Sequence, residues 1–94
     1  MRVLRTVAEL RTLLAAARSS GNSIGLVPTM GFFHEGHLSL MRRARSDTDG
    51  GVVSVFVNPA LFGPGEDLAA YPRAEERDRR RAEAEGVDML FAPP

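Results

Sequence analysis

An α/β domain with a parallel sheet is the architecture expected for this chain of 94 residues. Short apolar segments typical of strands alternate along the chain with segments of helical periodicity, in units of roughly 30 residues. The clearest strand, Val52–Val57, is almost continuously apolar and β-branched, as in strands covered on both faces. The length suits one small domain, and right-handed crossovers are expected between successive parallel strands.

The first third of the chain predicts a strand followed by a helix. Val3 and Leu4 form a short apolar segment, and residues 6–9 read Thr-Val-Ala-Glu, which is a capping box at a helix start. The apolar residues that follow have helical spacing and predict one buried helix face: Val7, Leu10, Leu13, Leu14 and Ala17. Gly21-Asn22 then predicts the end of the helix.

The middle of the chain predicts a strand, a loop and a second helix. Residues 24–27 predict a buried strand that Pro28 closes. A loop rich in Gly and His runs from Thr29 to Gly36, and a helix is expected from near His37 to about Arg45. The sequence Asp-Gly-Gly at 49–51 predicts a break before the next strand.

The last third predicts a long loop over residues 58–72, a helix from Arg73 to Glu85 that Gly86 ends, and a strand at 89–91. This third helix has no large apolar side chain between Ala74 and Glu85, so we interpret it as a surface helix that packs through its alanines. Four pairs of opposite charge at i,i+4 spacing support it: Glu75–Arg79, Glu76–Arg80, Arg79–Glu83 and Arg81–Glu85.

The composition excludes several classes of function. The chain has 12 basic residues, all of them Arg, and 12 acidic residues, so its formal charge is zero and a nucleic-acid partner is not expected. It has no Lys for a P-loop or a Schiff base and no Cys for thiolate catalysis or a Cys-ligated metal. Neither a membrane span nor a signal peptide is recognisable, so a cytoplasmic location without a membrane partner is expected.

The strongest functional signal is the segment from Pro28 to His37, which lies between a predicted strand and a predicted helix. Ligands of open parallel sheets bind at the carboxyl ends of the strands, and a helix start favours phosphate through its free N–H groups. His34 and His37 are three residues apart, so both could donate hydrogen bonds to phosphate oxygens whose charge grows in a transition state.

Other interpretations of these histidines stay open. His37 shares a helical face with Leu40, Met41 and Ala44, so it could be the polar end of a core stripe. A metal held by His34 and His37 lacks an obvious third ligand. His34-Glu35 could also be a chance loop pair without a function.

Asn58 follows the clearest strand, on the other expected wall of the same crevice, and could bind a small polar substrate or simply start a turn before Pro59. Glu66-Asp67 lies on a loop rich in Pro and Gly, where a solvated role is favoured over a catalytic carboxylate pair. Residues 71–73, Tyr-Pro-Arg, are typical of a helix start.

Several spaced motifs together resemble the pantothenate synthetase (pantoate–β-alanine ligase) family. They are Val-Pro-Thr-Met-Gly at 27–31, His-Glu-Gly-His-Leu-Ser-Leu at 34–40, Val-Phe-Val-Asn-Pro at 55–59, Glu-Asp-Leu at 66–68, Tyr-Pro-Arg at 71–73 and Gly-Val-Asp at 86–88. The family belongs to the nucleotidyltransferases with an H-x-G-H (HIGH) motif and a Rossmann-like fold. The resemblance implies that residues 1–94 are the N-terminal part of a Rossmann-like nucleotide-binding ligase domain.

The resemblance implies an AMP-forming ligase that uses ATP with Mg²⁺, pantoate and β-alanine, without a bound cofactor or a protein-held metal. The pantoate carboxylate would attack the α-phosphate of ATP, and the amine of β-alanine would then displace AMP to give pantothenate. His37 is implied as the main catalytic histidine and His34 as its assistant at the phosphates. The residues implied to line ATP are Met30, Gly31, Phe32, Phe33, His34, Glu35, Gly36 and His37, and those implied to contact the substrates are Pro28, Thr29 and Asn58.

The chain departs from the family pattern in three ways. Leu61 stands where the family has a Gln that binds pantoate, and the third helix has charged residues where the family has Leu. Family members are also much longer and carry a later Lys-bearing nucleotide segment, so this chain is expected to be a fragment that is inactive alone. A homodimer is implied by the resemblance. Another H-x-G-H nucleotidyltransferase, which Leu61 favours, and a non-catalytic nucleotide-binding module remain the alternatives.

Overall fold

The computed structural model describes residues 1–57 and 74–94, and these residues form alternating strands and helices. The elements in chain order are β1 (Arg2–Leu4), α1 (Val7–Ser19), β2 (Ile24–Thr29), α2 (Glu35–Asp47), β3 (Gly50–Val55), α3 (Glu75–Ala84) and β4 (Met89–Phe91). The predicted loop over residues 58–72, the interpretation of Glu66-Asp67, and the predicted helix start at residues 71–73 lie outside the described residues.

The strands form one parallel sheet in the order β1-β4-β3-β2, which confirms the predicted fold class. The chain steps from β2 to β3 to β4 in one direction and from β1 to β2 in the other. Right-handed crossovers therefore place α2 and α3 on one face of the sheet and α1 on the opposite face.

The main core lies between the sheet and the pair α2–α3. Its buried members come from the sheet, from both helices and from the loops beside them: Val27, Phe33, Leu38, Met41, Val53, Ala82, Val87 and Leu90. No residue of α1 belongs to this cluster. The core therefore fixes the start of α2, and the loop that leads into it, against the carboxyl end of β2.

Helix α1 begins with the predicted capping box, because Thr6 Oγ1 accepts the Glu9 N–H at 3.1 Å and the Glu9 carboxylate accepts the Thr6 N–H at 3.1 Å. The apolar face of α1 is less buried than predicted: none of its residues is fully buried, and Val7 is 53% exposed. Its middle residues are half-buried, since α1 is the only described helix on its face of the sheet.

Several predicted boundaries differ from the structure, including the end of α2, which lies at Asp47 rather than near Arg45. Strand β2 runs through Pro28 to Thr29, because β2 lies at the edge of the described sheet, where a proline need not remove a ladder hydrogen bond. Strand β3 begins at Gly50 rather than after Gly51, since pairing with β2 extends it, and it ends at Val55. Helix α2 begins at Glu35, two residues before the predicted start, because His34 acts as its N-cap.

Helix α3 packs through Ala82, which is fully buried, as the prediction of alanine packing required. The predicted pairs Glu76–Arg80 (3.2 Å) and Arg79–Glu83 (3.9 Å) are present. Glu75 instead pairs with Arg5, and Glu85 pairs with Arg42, so the ends of α3 are tied to neighbouring elements.

Within residues 1–57 and 74–94, every helix is too short or too polar to cross a membrane.

Candidate functional site

An open cleft of about 690 Å³ lies at the carboxyl ends of β2 and β3. Its walls come from the end of β2, the loop that follows, the first turn of α2 and the end of β3. The lining residues are Pro28, Thr29, Met30, Gly31, Phe32, His34, His37, Ser54 and Phe56. This is the position at which open parallel sheets bind ligands.

Thr29 joins the two strands at the floor of the cleft. Its hydroxyl donates a hydrogen bond to the Ser54 carbonyl oxygen at 2.8 Å and accepts the Gly31 N–H at 3.2 Å. The Phe56 N–H donates to the Thr29 carbonyl oxygen at 3.0 Å. The Thr29 hydroxyl is therefore committed to holding the loop that leaves β2.

The loop turns sharply at Gly31 and Phe32, which both have positive φ angles, of 85° and 54°. Glycine suits the first position, because a Cβ there would also lie 3.1 Å from Val55 Cγ1. The left-handed conformation is uncommon for a phenylalanine and needs support from its surroundings. After the turn, the fully buried Phe33 anchors the loop in the core.

Asp78, on α3, holds this turn. Its carboxylate accepts the N–H groups of Phe32, at 2.7 Å, and of Phe33, at 2.8 Å. Sequence reasoning did not single out Asp78, although one signal was present. Asp78 is four residues from both Ala74 and Ala82, so it lies on the alanine face that was predicted to pack.

Two backbone hydrogen bonds orient the rings of His34 and His37 at the start of α2. The His34 Nδ1 atom accepts the Gly36 N–H at 3.0 Å, and the His34 N–H donates to His37 Nδ1 at 3.0 Å. The two rings are in contact, with centroids 4.0 Å apart and planes inclined by 35°. Because both Nδ1 atoms accept hydrogen bonds, this geometry assigns the proton of each neutral ring to Nε2.

His37 is favoured in its neutral form. Burial lowers its pKa from the ordinary value of 6.5, and the neighbouring His34 lowers it further, while the Asp78 carboxylate acts in the opposite direction. The Phe33 ring supplies part of this apolar surrounding, with its centroid 5.5 Å from that of His37. Near neutral pH, His37 is therefore an Nε2–H hydrogen-bond donor rather than a cation.

Glu35, at the first position of α2, turns toward Arg42, with 2.6 Å between Oε1 and Nη1. This hydrogen bond and the charge of Arg42 lower the pKa of Glu35. Arg42 also pairs with Glu85, the C-cap residue of α3. Glu35 therefore belongs to an ion-pair network that links α2 to α3. Glu35 is not among the cleft-lining residues.

Among residues 1–57 and 74–94, no three His, Asp or Glu side chains are grouped closely enough to hold a metal ion.

Comparison with known proteins matches almost the whole chain. The profile of the family described as Pantoate-beta-alanine ligase matches residues 2–94. This chain belongs to the pantoate–β-alanine ligase family. The family resemblance carried by the sequence motifs is thereby confirmed.

Individual members of the ligase family are closely similar to this chain. It is 59% identical over 93 residues to the pantothenate synthetase of Moorella thermoacetica, a match that covers 99% of this chain and 33% of that protein. It is 61% identical to a bifunctional pantoate ligase/cytidylate kinase of a Synechococcus species, covering 99% of this chain and 17% of that protein. The chain thus spans about a third of the length of the pantothenate synthetases that it matches.

Solved structures of the ligase family share the fold. The pantothenate synthetase of Thermus thermophilus superposes with a TM-score of 0.90 at 54% identity, over 100% of this chain and 32% of that one. The ligase of Francisella tularensis, in complex with beta-gamma ATP and β-alanine, superposes with a TM-score of 0.86 at 35% identity, over 99% of this chain and 35% of that one.

The structure brings together five of the eight residues that the ligase resemblance implied for ATP. Met30, Gly31, Phe32, His34 and His37 line the cleft. Phe33 lies beneath it in the core, and Glu35 and Gly36 are exposed on α2 outside its lining.

Of the residues implied for the substrates, Pro28 and Thr29 line the cleft, whereas Asn58 and Leu61 lie outside the described residues. Ser54 and Phe56 also line the cleft. Phe56 begins the segment that was expected to form the second wall of the crevice, whereas Ser54 was not predicted. Ser54 lies at the cleft because it pairs with Pro28 in the register of β2 and β3. Of the residues on the same helical face as His37, Met41 is buried and Ala44 packs against the core, whereas Leu40 is 56% exposed.

Proposed function

We propose that this cleft binds the phosphates of ATP, and that the protein catalyses the ATP-dependent condensation of pantoate with β-alanine through pantoyl adenylate. The observation that carries the proposal is the pair of backbone hydrogen bonds to Nδ1 of His34 and Nδ1 of His37 at the start of α2. It leaves two Nε2–H donors beside the cleft at the positive end of a helix.

The proposed first step is attack of a pantoate carboxylate oxygen on the α-phosphorus of ATP. The bond from phosphorus to the bridging oxygen breaks, and pyrophosphate leaves with its electron pair. Negative charge develops on the phosphate oxygens in the transition state, where preorganised donors stabilise it. His37, with His34 beside it, supplies such donors without a proton transfer, because the neutral ring already carries its proton on Nε2.

In the proposed second step, the amine of β-alanine attacks the acyl carbon of pantoyl adenylate. The bond from that carbon to the AMP oxygen breaks, the nitrogen loses a proton, and pantothenate and AMP are formed. Thr29 contributes by shaping the cleft, since its hydroxyl is already bonded within the protein. Asn58 remains a proposed substrate contact on the basis of the family motif alone.

Mg²⁺ is proposed to enter with ATP as part of the substrate, held mainly by the nucleotide phosphates. A homodimer is also proposed. It is supported by the exposed apolar side chains of Leu26 and Leu40, which are 63% and 56% exposed and line the groove between α2 and the sheet edge formed by β2.

Titration of the 94-residue chain with Mg-ATP by calorimetry tests the nucleotide site. We expect saturable binding that His37→Ala weakens roughly tenfold, the typical loss for one hydrogen bond to a charged group. Ser39→Ala, on the exposed side of the same helix, is the matched control and should bind like the wild type. Absence of binding by the folded wild-type chain, or equal affinity of His37→Ala, would contradict the proposal.

A further inference from the structure

The turn that presents the two histidines is held in place by a residue from a distant part of the chain. Asp78 is 2% exposed and is the only buried polar side chain among the residues that the structure describes. One of its carboxylate oxygens accepts the Phe32 N–H and the other accepts the Phe33 N–H. The remaining polar residues of α3 lie at or near the surface.

A buried carboxylate is costly, because the charge leaves water and is compensated only by well-placed donors. An apolar residue at position 78 would avoid this cost if packing of α3 were the only requirement. The compensation that Asp78 receives comes from the loop, whose two successive N–H groups point at it. This pairing also supports the positive φ angles at Gly31 and Phe32.

A continuous set of contacts connects this pairing to the histidines. Asp78 fixes the backbone of Phe33, and the Phe33 ring lies against His37 at a centroid distance of 5.5 Å. The next residue along the chain, His34, donates its N–H to His37 Nδ1. A shift of the Phe33 backbone would therefore move both the His34 N–H and the surface against which His37 packs.

Arg77 closes the same turn from the outside. Its guanidinium carbon lies 4.9 Å from the centroid of the Phe32 ring, and Nη1 donates to the Phe33 carbonyl oxygen at 3.3 Å. Arg77 Nη1 also lies 3.7 Å from Asp78 Oδ1. Two adjacent residues of α3 thus hold the turn by its N–H groups, its carbonyl group and its aromatic ring.

We propose that Asp78, assisted by Arg77, is a positioning residue for the histidine pair. Asp78 fixes the turn over residues 31–33 so that His34 and His37 keep the Nε2–H tautomer and direct these donors to one ligand. The proposal rests on the proposed function in taking the nucleotide phosphates as that ligand, but it also makes a claim about the free protein.

Asp78→Asn tests the proposal, and Asp88→Asn is its matched control. Asp78 faces two N–H donors, so an amide there would set its own NH₂ group against one of them. The Asp88 carboxylate accepts one N–H, from Gly51 at 2.8 Å, so an amide oxygen can replace it. Asp88 directly precedes β4, at the opposite end of the sheet from the cleft.

The first readout is the ¹⁵N chemical shifts of the histidine rings, which report the tautomer without any ligand. In the wild type and in Asp88→Asn we expect the Nε2–H tautomer of His37, and in Asp78→Asn a mixture of tautomers. The second readout is Mg-ATP affinity, which should fall roughly tenfold in folded Asp78→Asn, as for loss of one bond to a charged group, and stay unchanged in Asp88→Asn.

If Asp78→Asn does not fold, Arg77→Gln tests the proposal instead. Arg77 is partly exposed, so its replacement should leave the protein folded, and the His37 tautomer should shift in the same direction. A folded Asp78→Asn with the wild-type tautomer and affinity, or an Arg77→Gln variant with the wild-type tautomer where Asp78→Asn is unfolded, would overturn the proposal. If the wild type binds no ATP, the proposed function fails, while the tautomers of the free variants still decide the role of Asp78.

Discussion

At the scale of single residues, the site depends on which nitrogen of each histidine carries the proton. Backbone N–H groups occupy Nδ1 of His34 and, from His34 itself, Nδ1 of His37. Protonation of either Nδ1 would set a donor against a donor and break this arrangement. The burial that lowers the pKa of His37 therefore also protects the geometry on which the proposed phosphate contacts depend.

The lowered pKa of His37 predicts a pH dependence of stability. Unfolded His37 binds a proton as the pH falls through its ordinary value of 6.5, whereas folded His37 binds it only at lower pH. The free energy of unfolding should therefore fall as the pH drops below about 7. The contribution of His37 to this fall should end below the pKa of the folded state.

Urea unfolding of the wild type and of His37→Asn, between about pH 7 and pH 5, measures this contribution. We expect the pH slope to be smaller in His37→Asn. Glu9, Glu35 and Asp47 have lowered pKa values and lose their stabilising contributions only at more acidic pH, below their ordinary values of 4.5, 4.5 and 3.8. Equal slopes for the two proteins would show that His37 does not titrate differently on folding.

At the scale of the elements, α1 depends more on its own ends than α2 and α3 do, because none of its residues is buried. Thr6→Ala removes the capping box and should cost about 1 kcal/mol of unfolding free energy. Thr12→Ala is the matched control in the same helix: the Thr12 hydroxyl only bonds back to the Ala8 carbonyl at 3.0 Å, so the change should be neutral or slightly stabilising. Urea unfolding that gave equal losses for both variants would contradict this assignment.

Local patterns predicted the elements and the position of the histidine loop, because strand, helix and capping signals are read within a few residues. The boundaries at Pro28 and Gly50 required the sheet order, since an edge position tolerates the proline and pairing with β2 extends β3. The role of Asp78 required the tertiary fold, because its partner Phe33 lies 45 residues away in sequence. The spacing of Ala74, Asp78 and Ala82 is compatible with one packing face, but it does not identify the partner of Asp78.

At the scale of the whole molecule, one parallel sheet collects the functional groups at its carboxyl edge. The end of β2, the start of α2 and the end of β3 surround the cleft, and α3 holds the connecting turn from the adjacent side. The chain spans about a third of the length of its relatives and contains no Lys. Under the proposed function, these residues form the histidine-bearing wall of the ATP cleft.

The most direct measurement is the ligase activity of a chimaera in which residues 2–94 replace the matching 93 residues of the Moorella thermoacetica pantothenate synthetase. We expect AMP release that depends on both pantoate and β-alanine, with a raised KM for pantoate that Leu61→Gln lowers. His37→Ala in the same chimaera should reduce kcat by roughly a hundredfold or more, as for loss of a transition-state donor. A folded chimaera that binds Mg-ATP but forms no pantothenate, with either Leu61 or Gln at position 61, would contradict the account.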